Sequence, residues 1–535
     1  MEEHRKKNTE NMAKINRSRS KNAKRNIVFG LTNQIVSLII PFITRTIIIR
    51  LLGAAYLGLS GLFSSILQVL NLTELGFGSA IVFSMYKPIA RNDTAELCAL
   101  LKYYKKIYSI VGAAIFAGGL LVLPFLPQLI KGSWPADINI YILYIIYLFN
   151  TSISYFLFAY KQSLFTAYQR DDILSKIHIS IKILTSLSQI AVLLLWKNYY
   201  AYVGVHFAAN VVTNVSVQLL SKKAFPELFC KGALSKEKKN EIKTKVKGLM
   251  VSRLCITSRN ALDSIFVASF IGLIDTAKYN NYFHILTSVS GILSIIGQSI
   301  LAGVGNSIVT ETQEKNHKDM LRMNFIYMWI AGWFSACMIC LYQPFTELVF
   351  GSDMLFPFSI AVLFTLYFYL LKMGDMRYIY SEAAGLWWEN RYRAIAEAIA
   401  NMILNYTLGK YFGVSGIIAA TLISVFFINF LWGSAIIYKH YFTSMKAVLF
   451  YKQHAFYAAV CLLAAVITYG LCSLTMNTGI LGLLMKGVLC AILPHIVFLL
   501  VYHKTRIFQD ALYWLDKRFH FPEILRRIIR KRIHS

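Results

Sequence analysis

Negative charge is scarce in this sequence, and the positive charge is unevenly distributed along it. The 535 residues contain 26 Asp and Glu against 55 Lys and Arg, which gives a formal net charge of +29. In a soluble protein such an excess would suggest a nucleic-acid partner. The basic residues, however, concentrate in alternate loops, with roughly 45 on one side, about six on the other and about four inside apolar runs. This alternation is typical of a multi-pass membrane protein and argues against nucleic-acid binding.

The sequence also lacks any stretch that resembles a soluble domain. Hydrophobic residues make up 56% of the chain, and the mean hydropathy is +0.52. About fourteen apolar runs recur along the chain, each long enough to cross the hydrocarbon core of a bilayer as a helix. The sequence therefore predicts an all-α integral membrane protein with about 14 transmembrane helices. Both termini are expected in the cytoplasm because they are basic, and about 25 mostly polar residues before the first run argue against a cleavable signal peptide.

Cysteine is infrequent, and the loops between the apolar runs are short on the less basic side. The eight cysteines are scattered, and the pair Cys337 and Cys340 lies inside an apolar run with no histidine or second pair near it in sequence. This spacing argues against a disulfide framework or a zinc site, so we expect small apolar packing residues. The longest external loop has about ten residues, around "KGSWPADIN", which leaves little room for a catalytic site. We therefore expect no catalytic residues and no metal, and not an enzyme.

The chain repeats weakly at an offset of about 219 residues. This offset superposes Gly53 on Gly272 and Gly132 on Gly351. Chance similarity between Leu- and Ile-rich helices is the alternative explanation. A repeat unit with an even number of helices gives two halves of the same orientation, so the pattern predicts two pseudo-symmetric six-helix lobes that face a central cavity, plus two C-terminal helices.

The predicted boundaries follow from the apolar runs and the basic loops. The segments are a basic cytoplasmic N-terminus (1–25), an N-lobe with six helices (26–221), a basic cytoplasmic loop (222–248), a C-lobe with six helices (249–437), two further helices (456–502) and a basic cytoplasmic tail (503–535).

Several ionisable residues lie inside the apolar runs, where a central charge costs about 2.5 to 3.5 kcal/mol. The candidates are Arg45, Arg50, Glu74, Lys182, Arg253, Arg259 and Asp263. Arg50 and Lys182 are near the ends of their runs, so each could instead extend its side chain to the interface. Arg259 and Asp263 are spaced i, i+4 and could neutralise each other. The remaining cations need protein or water around them.

Arg45 lies deeper in its run than Arg50, and the repeat offset places it beside Asp263 at the equivalent depth. A group of intramembrane cations predicts a hydrated chamber for an anionic substrate, and phosphate suits the planar fork of arginine. The predicted substrate-binding residues are Arg45, Arg253, Arg259, Lys182 and Arg50. Glu74, in "NLTELGFGSA", and Asp263 are candidate sites for coupling to protons or sodium, although Glu74 could also be a buried, hydrogen-bonded carboxyl group. No other cofactor is expected.

Four segments resemble a known family. The segment "LDSIFVASFIGLIDTAKYNNYFHILTSVSGILSIIGQSILAGVGN" (262–306) is similar to the seventh and eighth helices of bacterial polysaccharide flippases of the Wzx type. These belong to the MATE-like, or MOP, superfamily, which includes MATE exporters and the lipid II flippase. Further similarity lies in "FTAYQRDD" (165–172), "AAGLWWENRYR" (383–393) and "GVSGIIAATLIS" (413–424).

The resemblance implies a multi-pass protein of the bacterial cytoplasmic membrane with a cation-lined cavity. It further implies translocation of undecaprenyl-pyrophosphate-linked oligosaccharide, by alternating access, for O-antigen, capsule or exopolysaccharide synthesis. The expected partners are this lipid-linked substrate, membrane lipids, and the polysaccharide polymerase and chain-length machinery. Two alternatives stay open, an ion-coupled exporter of small molecules and a membrane polysaccharide polymerase. The excess of basic residues inside the runs argues against export of cations.

Overall fold

The computed structural model describes residues 19–71, 77–475 and 479–519, and every regular element in these ranges is helical. The first half contains α1 Arg19–Leu51, α2 Ala54–Leu70, α3 Phe77–Arg91, α4 Thr94–Val122, α5 Ile140–Phe156, α6 Gln162–Ala167, α7 Asp171–Trp196, α8 Tyr199–Ala224 and α9 Lys236–Phe270. The second half contains α10 Leu273–Thr310, α11 Gln313–Phe350, α12 Phe358–Met373, α13 Asp375–Ala383, α14 Arg391–Ile423, α15 Gly433–His440, α16 Ala447–Ser473, α17 Gly479–Tyr502 and α18 Arg506–Phe519. A π-helical segment, Ser424–Trp432, joins α14 to α15.

Ten helical stretches in the described ranges are long and apolar enough to cross a membrane, or eleven if the bent pair Ile140–Phe156 and Ala159–Ala167 counts as one span. One of the ten, Arg391–His440, has 50 residues and is interrupted at Gly413, which has non-helical backbone angles. Two shorter apolar helices, Ala54–Leu70 and Ala261–Phe270, accompany them. The expected all-α, multi-pass membrane architecture is confirmed, and the number of 14 spans stays a prediction.

The chain divides into two compact units, Met1–Ala277 and Lys278–Ser535. The predicted lobes had their boundary at the loop 222–248 instead. In the first unit α9 packs against α2. That α9 is the first helix of a C-lobe stays a prediction.

The breaks between helices recur at the spacing that the sequence repeat predicts. Gly53, between α1 and α2, has φ +109°, and Gly272, between α9 and α10, has φ +136°. Gly132 and Gly351 share the left-handed region as well, with φ +87° and +97°. Side chains with a Cβ rarely adopt these angles, which is why glycine occupies the connecting segment at both members of each pair. Two superposed pairs with matching backbone angles support the repeat over chance similarity.

In the first unit, α1 packs along α7, α7 along α8, and α4 along α5. Asn139 starts α5 by accepting hydrogen bonds from the amides of Tyr141 and Ile142, at 3.1 and 3.2 Å. Asn198 starts α8 in the same way, through the amide of Ala201 at 2.9 Å. These N-caps satisfy amides that have no partner inside the helix. They also fix where α5 and α8 begin. Asparagine side chains join these two helices to each other.

In the second unit, α11 is the central helix. It packs against α12, α16 and α17, and α12 packs against α14. Aromatic rings fill much of the space around it, with Trp329 of α11 between Phe498 and Phe508 at centroid distances of 5.2 and 5.7 Å. The indole nitrogen of Trp329 donates to His495 Nδ1 at 3.0 Å. The two appended helices α16 and α17 are therefore packed tightly into this unit.

Candidate functional site

Two adjoining cavities lie within the first unit. The larger has a volume of about 870 Å³ and is walled by α3, α4, α5, α6 and α8. The smaller has a volume of about 550 Å³ and is walled by α1, α2, α5, α7 and α8. His206 and Asn210 of α8 line both cavities. The two volumes fall in the range of small-molecule sites. Both cavities have polar side chains on their walls.

An amide and hydroxyl network holds α5 against α8 beside the larger cavity. Ser154 Oγ donates to Asn210 Oδ1 at 2.8 Å, and Asn210 Nδ2 donates to the carbonyl oxygen of Asn150 at 2.8 Å. Asn214 Nδ2 donates to the carbonyl oxygen of Asn210 at 2.9 Å and reaches Ser154 Oγ at 3.3 Å. Each of these groups is uncharged and has both donors and acceptors. Such a wall can exchange hydrogen bonds with hydroxyl-rich ligands at little desolvation cost.

Tyrosines line the same cavities, and two of them, Tyr147 and Tyr155, come from α5. Tyr155 lies at the larger cavity and donates to Asn71 Oδ1 at 3.4 Å. Tyr147 lies at the smaller cavity, where its hydroxyl donates to Ser60 Oγ at 3.1 Å and lies 3.0 Å from the Tyr199 hydroxyl. Phenol rings combine an apolar face with a polar edge, which suits contact with a sugar ring.

The smaller cavity carries the cationic groups. Lys182 and His178 of α7 line it, one helical turn apart. Thr44 and Tyr202 line it too, and the Arg45 guanidinium next to Thr44 interacts electrostatically with the Tyr202 hydroxyl. No Asp or Glu occurs among the described residues that line either cavity. A cation on a polar wall without a lining acid favours an anionic ligand.

The other predicted site residues lie elsewhere or outside the described residues. Arg50 is exposed, near the end of α1. Arg259 and Asp263 are buried on α9, with 5% and 0% of their surface exposed, and each has an interaction partner. Arg253 belongs to α9, but its side chain is outside the described residues, and so is Glu74. Of the residues predicted to bind substrate, Lys182 lines the smaller cavity, and Arg45 is the chain neighbour of the lining residue Thr44.

The second unit holds a buried ion network that was not predicted from the sequence. It consists of Lys372, Asp375, Arg377, Arg393, Glu397 and Asn429. Arg393 pairs with Glu397 at 2.7 Å, and Asn429 Nδ2 donates to the same carboxylate at 3.0 Å. Arg377 donates to Asn429 Oδ1 at 3.1 Å, so the amide connects two buried arginines through one acid.

This network is enclosed by the backbone around it. Arg377 has 1% of its surface exposed and Glu397 has none. A Cβ at Gly433 would lie 2.4 Å from the Arg377 guanidinium, so glycine at this position leaves the space that the arginine side chain occupies. The signal in the sequence was the i, i+4 pair Arg393 and Glu397 inside an apolar run, which is a spacing that supports ion pairs on one helix face. Because Arg393 pairs with Glu397 and Lys372 pairs with Asp375, we interpret the network as structural.

The fold defines the class of protein. It matches an inward-facing multidrug resistance MATE family transporter of the MOP superfamily with a TM-score of 0.60 at 16% identity, over 76% of this chain and 95% of that one. It matches the lipid II flippase MurJ in an inward closed conformation with a TM-score of 0.62 at 14% identity, over 89% and 99%. A MOP superfamily transporter from Pyrococcus furiosus matches at 0.50 and 14%, over 78% and 96%. The protein thus has the fold of these transporters and flippases.

The family follows from the sequence itself. Residues 23–302, more than half of the chain, match the family described as polysaccharide biosynthesis protein. The protein belongs to this family, and it is a multi-pass integral membrane protein. A search by sequence among curated proteins gives no match.

Proposed function

We propose that this protein is a flippase for undecaprenyl-pyrophosphate-linked oligosaccharide repeat units. It moves them across the bacterial cytoplasmic membrane, by alternating access, for O-antigen, capsule or exopolysaccharide synthesis. The observation that carries the proposal is the smaller cavity: Lys182 lines its wall, Thr44, the chain neighbour of Arg45, lines it too, and no Asp or Glu is among its described lining residues. Because the chain belongs to a polysaccharide biosynthesis family, we propose that the anion bound at this cavity is the head group of a lipid-linked glycan.

The substrate has two polar parts, and each suits one cavity. The pyrophosphate binds at Lys182 and Arg45, where cations form charge-assisted hydrogen bonds to phosphate oxygens. The sugars occupy the larger cavity and exchange hydrogen bonds with Asn150, Ser154 and Asn210. The polyprenyl tail stays in lipid because its transfer into a polar cavity would be unfavourable.

The remaining ionisable residues have supporting roles in this proposal. Arg50, Arg253 and Arg259 are further cations that the anionic head group meets on its path. Glu74 and Asp263 are the candidates for coupling to protons or sodium. Both termini are cytoplasmic, and the product is passed to the polymerase and chain-length machinery.

Export of cationic compounds, the main alternative, requires an acidic binding site. The described lining of both cavities instead combines uncharged hydrogen-bonding groups with Lys182 and two histidines. For the MOP superfamily transporter from Pyrococcus furiosus, reverse polarity of the binding pocket suggests a different function. We propose the same logic for this chain, in which the sign of the cavity charge selects an anionic substrate.

A complementation experiment tests the proposal in a bacterium that lacks its own flippase for the same repeat unit. The wild-type gene should restore surface polysaccharide, and Arg45→Ala and Lys182→Glu should not, although both proteins reach the membrane in normal amounts. The lipid-linked repeat unit should then accumulate in the cytoplasmic leaflet. Lys197→Glu is the matched control, since Lys197 is exposed between α7 and α8. Normal surface polysaccharide in both cavity variants would refute the binding site, and gain of resistance to cationic drugs without polysaccharide would favour the exporter.

A further inference from the structure

Three thiols from three helices of the second unit meet in the interior. Cys340 belongs to α11, Cys472 to α16 and Cys490 to α17. Their exposed fractions are 4%, 2% and 1%, and their sulfur atoms lie within 4.8 Å of one another. The sequence could not show this group, because more than a hundred residues separate Cys340 from the other two.

The separation of the sulfur atoms fits a three-coordinate thiolate site. With metal–sulfur bonds of about 2.3 Å, three sulfurs in a triangle around one ion lie about 4 Å apart. The sulfurs of Cys472 and Cys490 are 4.0 Å apart. The two sulfurs of a disulfide would lie about 2.05 Å apart. The observed sulfur–sulfur distance therefore fits thiols around one ion better than a disulfide.

A fourth cysteine, Cys337, lies next to the group, and its side chain interacts with that of Cys490. The thiol of Cys337 donates to the carbonyl oxygen of Cys490 at 3.7 Å. It is not among the three sulfurs that share the 4.8 Å limit. Zinc in structural sites takes four ligands in a tetrahedron, whereas soft thiolate sites with fewer ligands suit Cu(I). Three converging thiols therefore favour the softer, monovalent ion.

The surroundings supply charge balance and exclude water. Lys486 of α17 is 5% exposed, one turn before Cys490, and its ammonium group interacts electrostatically with the thiols of Cys472 and Cys490. Leu341 and Leu489 pack against the group. A monovalent ion held by two thiolates and one thiol carries a charge of minus one, which the lysine can balance. Buried charges persist when they are paired in this way.

We propose that Cys340, Cys472 and Cys490 form a binding site for one soft monovalent cation, with Cu(I) as the biological ion. Such a site would join the two appended helices α16 and α17 to the central helix α11. It is separate from the cavities of the first unit and independent of the proposed flippase activity. In the absence of metal binding, the three thiols would be apolar packing residues, as buried cysteines commonly are.

The test uses the full-length protein, purified in detergent under anaerobic, reducing conditions and titrated with Cu(I) against the chelator bicinchoninate. We expect one Cu(I) per chain, and X-ray absorption should show three sulfur neighbours. Cys472→Ser and Cys490→Ser should weaken binding by about 100-fold or more, since loss of a ligand should exceed the 10- to 100-fold effect of outer-shell changes. Cys461→Ser is the matched control, because Cys461 is a buried thiol of α16 outside the group.

A second measurement separates loss of the site from loss of the fold. Cu(I) should raise the Tm of the wild type and of Cys461→Ser, because a ligand that binds only the folded state stabilises it. The Tm of Cys472→Ser should not respond, while its value without metal should stay close to that of the wild type. Binding that is unchanged in Cys472→Ser, a site with fewer than three sulfur neighbours, or selective binding of Zn(II) would each overturn the proposal.

Discussion

Polar side chains inside the helices have different surroundings in the two units. In the first unit α7 places Lys182, Thr185, Ser186 and Gln189 on the wall of a cavity of about 550 Å³. In the second unit α14 places its polar residues in the packed interior. Glu397, Asn401 and Asn405 have no exposed surface, and Asn401 donates to the Thr421 hydroxyl at 3.0 Å.

The comparison is meaningful because the two helices have corresponding limits. Gln169 precedes α7 and Lys197 follows it, both with left-handed backbone angles. Gly385 precedes α14 and Gly413 interrupts it, also with positive φ and the same number of residues between them. Polar residues inside long helices thus line a cavity in one unit and pack in the interior of the other. An intramembrane charge therefore indicates a binding site only where a cavity adjoins it.

The largest effect that would sharpen this comparison is expected from the acid of the buried ion network. Glu397→Gln removes the charge that pairs Arg393 and leaves two arginines buried, at a cost of about 3 to 5 kcal/mol in the free energy of unfolding. We expect little folded protein in the membrane and a strongly lowered Tm in detergent.

Asp172 of the first unit is the control for that prediction. Its carboxylate is buried and pairs with Arg25 at 2.7 Å and Arg170 at 2.9 Å, but those arginines keep 26% and 11% of their side-chain surface exposed. After Asp172→Asn both can regain water, so we expect a smaller loss, about 1 to 2 kcal/mol. Equal losses in the two variants would contradict the expected difference between arginines that stay buried and arginines that keep some exposed surface.

The next largest effect concerns the cavity cation. Lys182→Glu should lower transport of the lipid-linked glycan by about 100-fold, or about 2.7 kcal/mol, because it places an acid against the pyrophosphate. The Tm should change little, since Lys182 faces the cavity. Vesicles that contain the purified variant and a labelled lipid-linked glycan provide the measurement, with Lys197→Glu beside it. A Tm that falls as much as in Glu397→Gln would show that Lys182 is structural as well.

The sequence predicted the features that depend on local patterns. Apolar runs set the membrane-spanning helices, and the offset of about 219 residues found the two glycine pairs. Among the site residues, Lys182 and Arg45 were singled out because a charge inside an apolar run needs a reason.

Features that depend on how each helix is rotated could not be predicted. Local spacing does not show which helices of a fold meet or how each is rotated against its neighbours, so nothing indicated that Arg377 points at Asn429 or that Cys340 meets Cys490. Both contacts join residues far apart in the chain. The Arg393 and Glu397 pair at i, i+4 and the Lys372 and Asp375 pair at i, i+3 are the parts of the network that the sequence could have revealed.

A smaller effect would test how rigidly the ion network is enclosed. Gly433→Ala places a methyl group against the Arg377 guanidinium, which is held on its other side by Asn429. Overpacking of this kind costs about 1 to 3 kcal/mol. Gly470→Ala is the matched control in α16, where a Cβ would meet nothing within 4 Å, and it should leave the Tm unchanged or slightly raised because alanine favours the helix. A normal Tm for Gly433→Ala would mean that the arginine can move aside.

The smallest effect is expected at Asn210, which lines both cavities. Asn210→Ala removes its hydrogen bonds to Ser154 and Asn150, but water can enter the space and satisfy both groups, so we expect a loss of transport of only a few-fold. Asn210→Leu fills the space with an apolar side chain, so water cannot replace the lost hydrogen bonds, and the larger loss should come from this variant. If the sugars instead avoid this wall, both variants should transport at the wild-type rate in the vesicle assay. That outcome would leave the cations of the smaller cavity as the whole of the binding site and would limit the contrast between the units to charge alone.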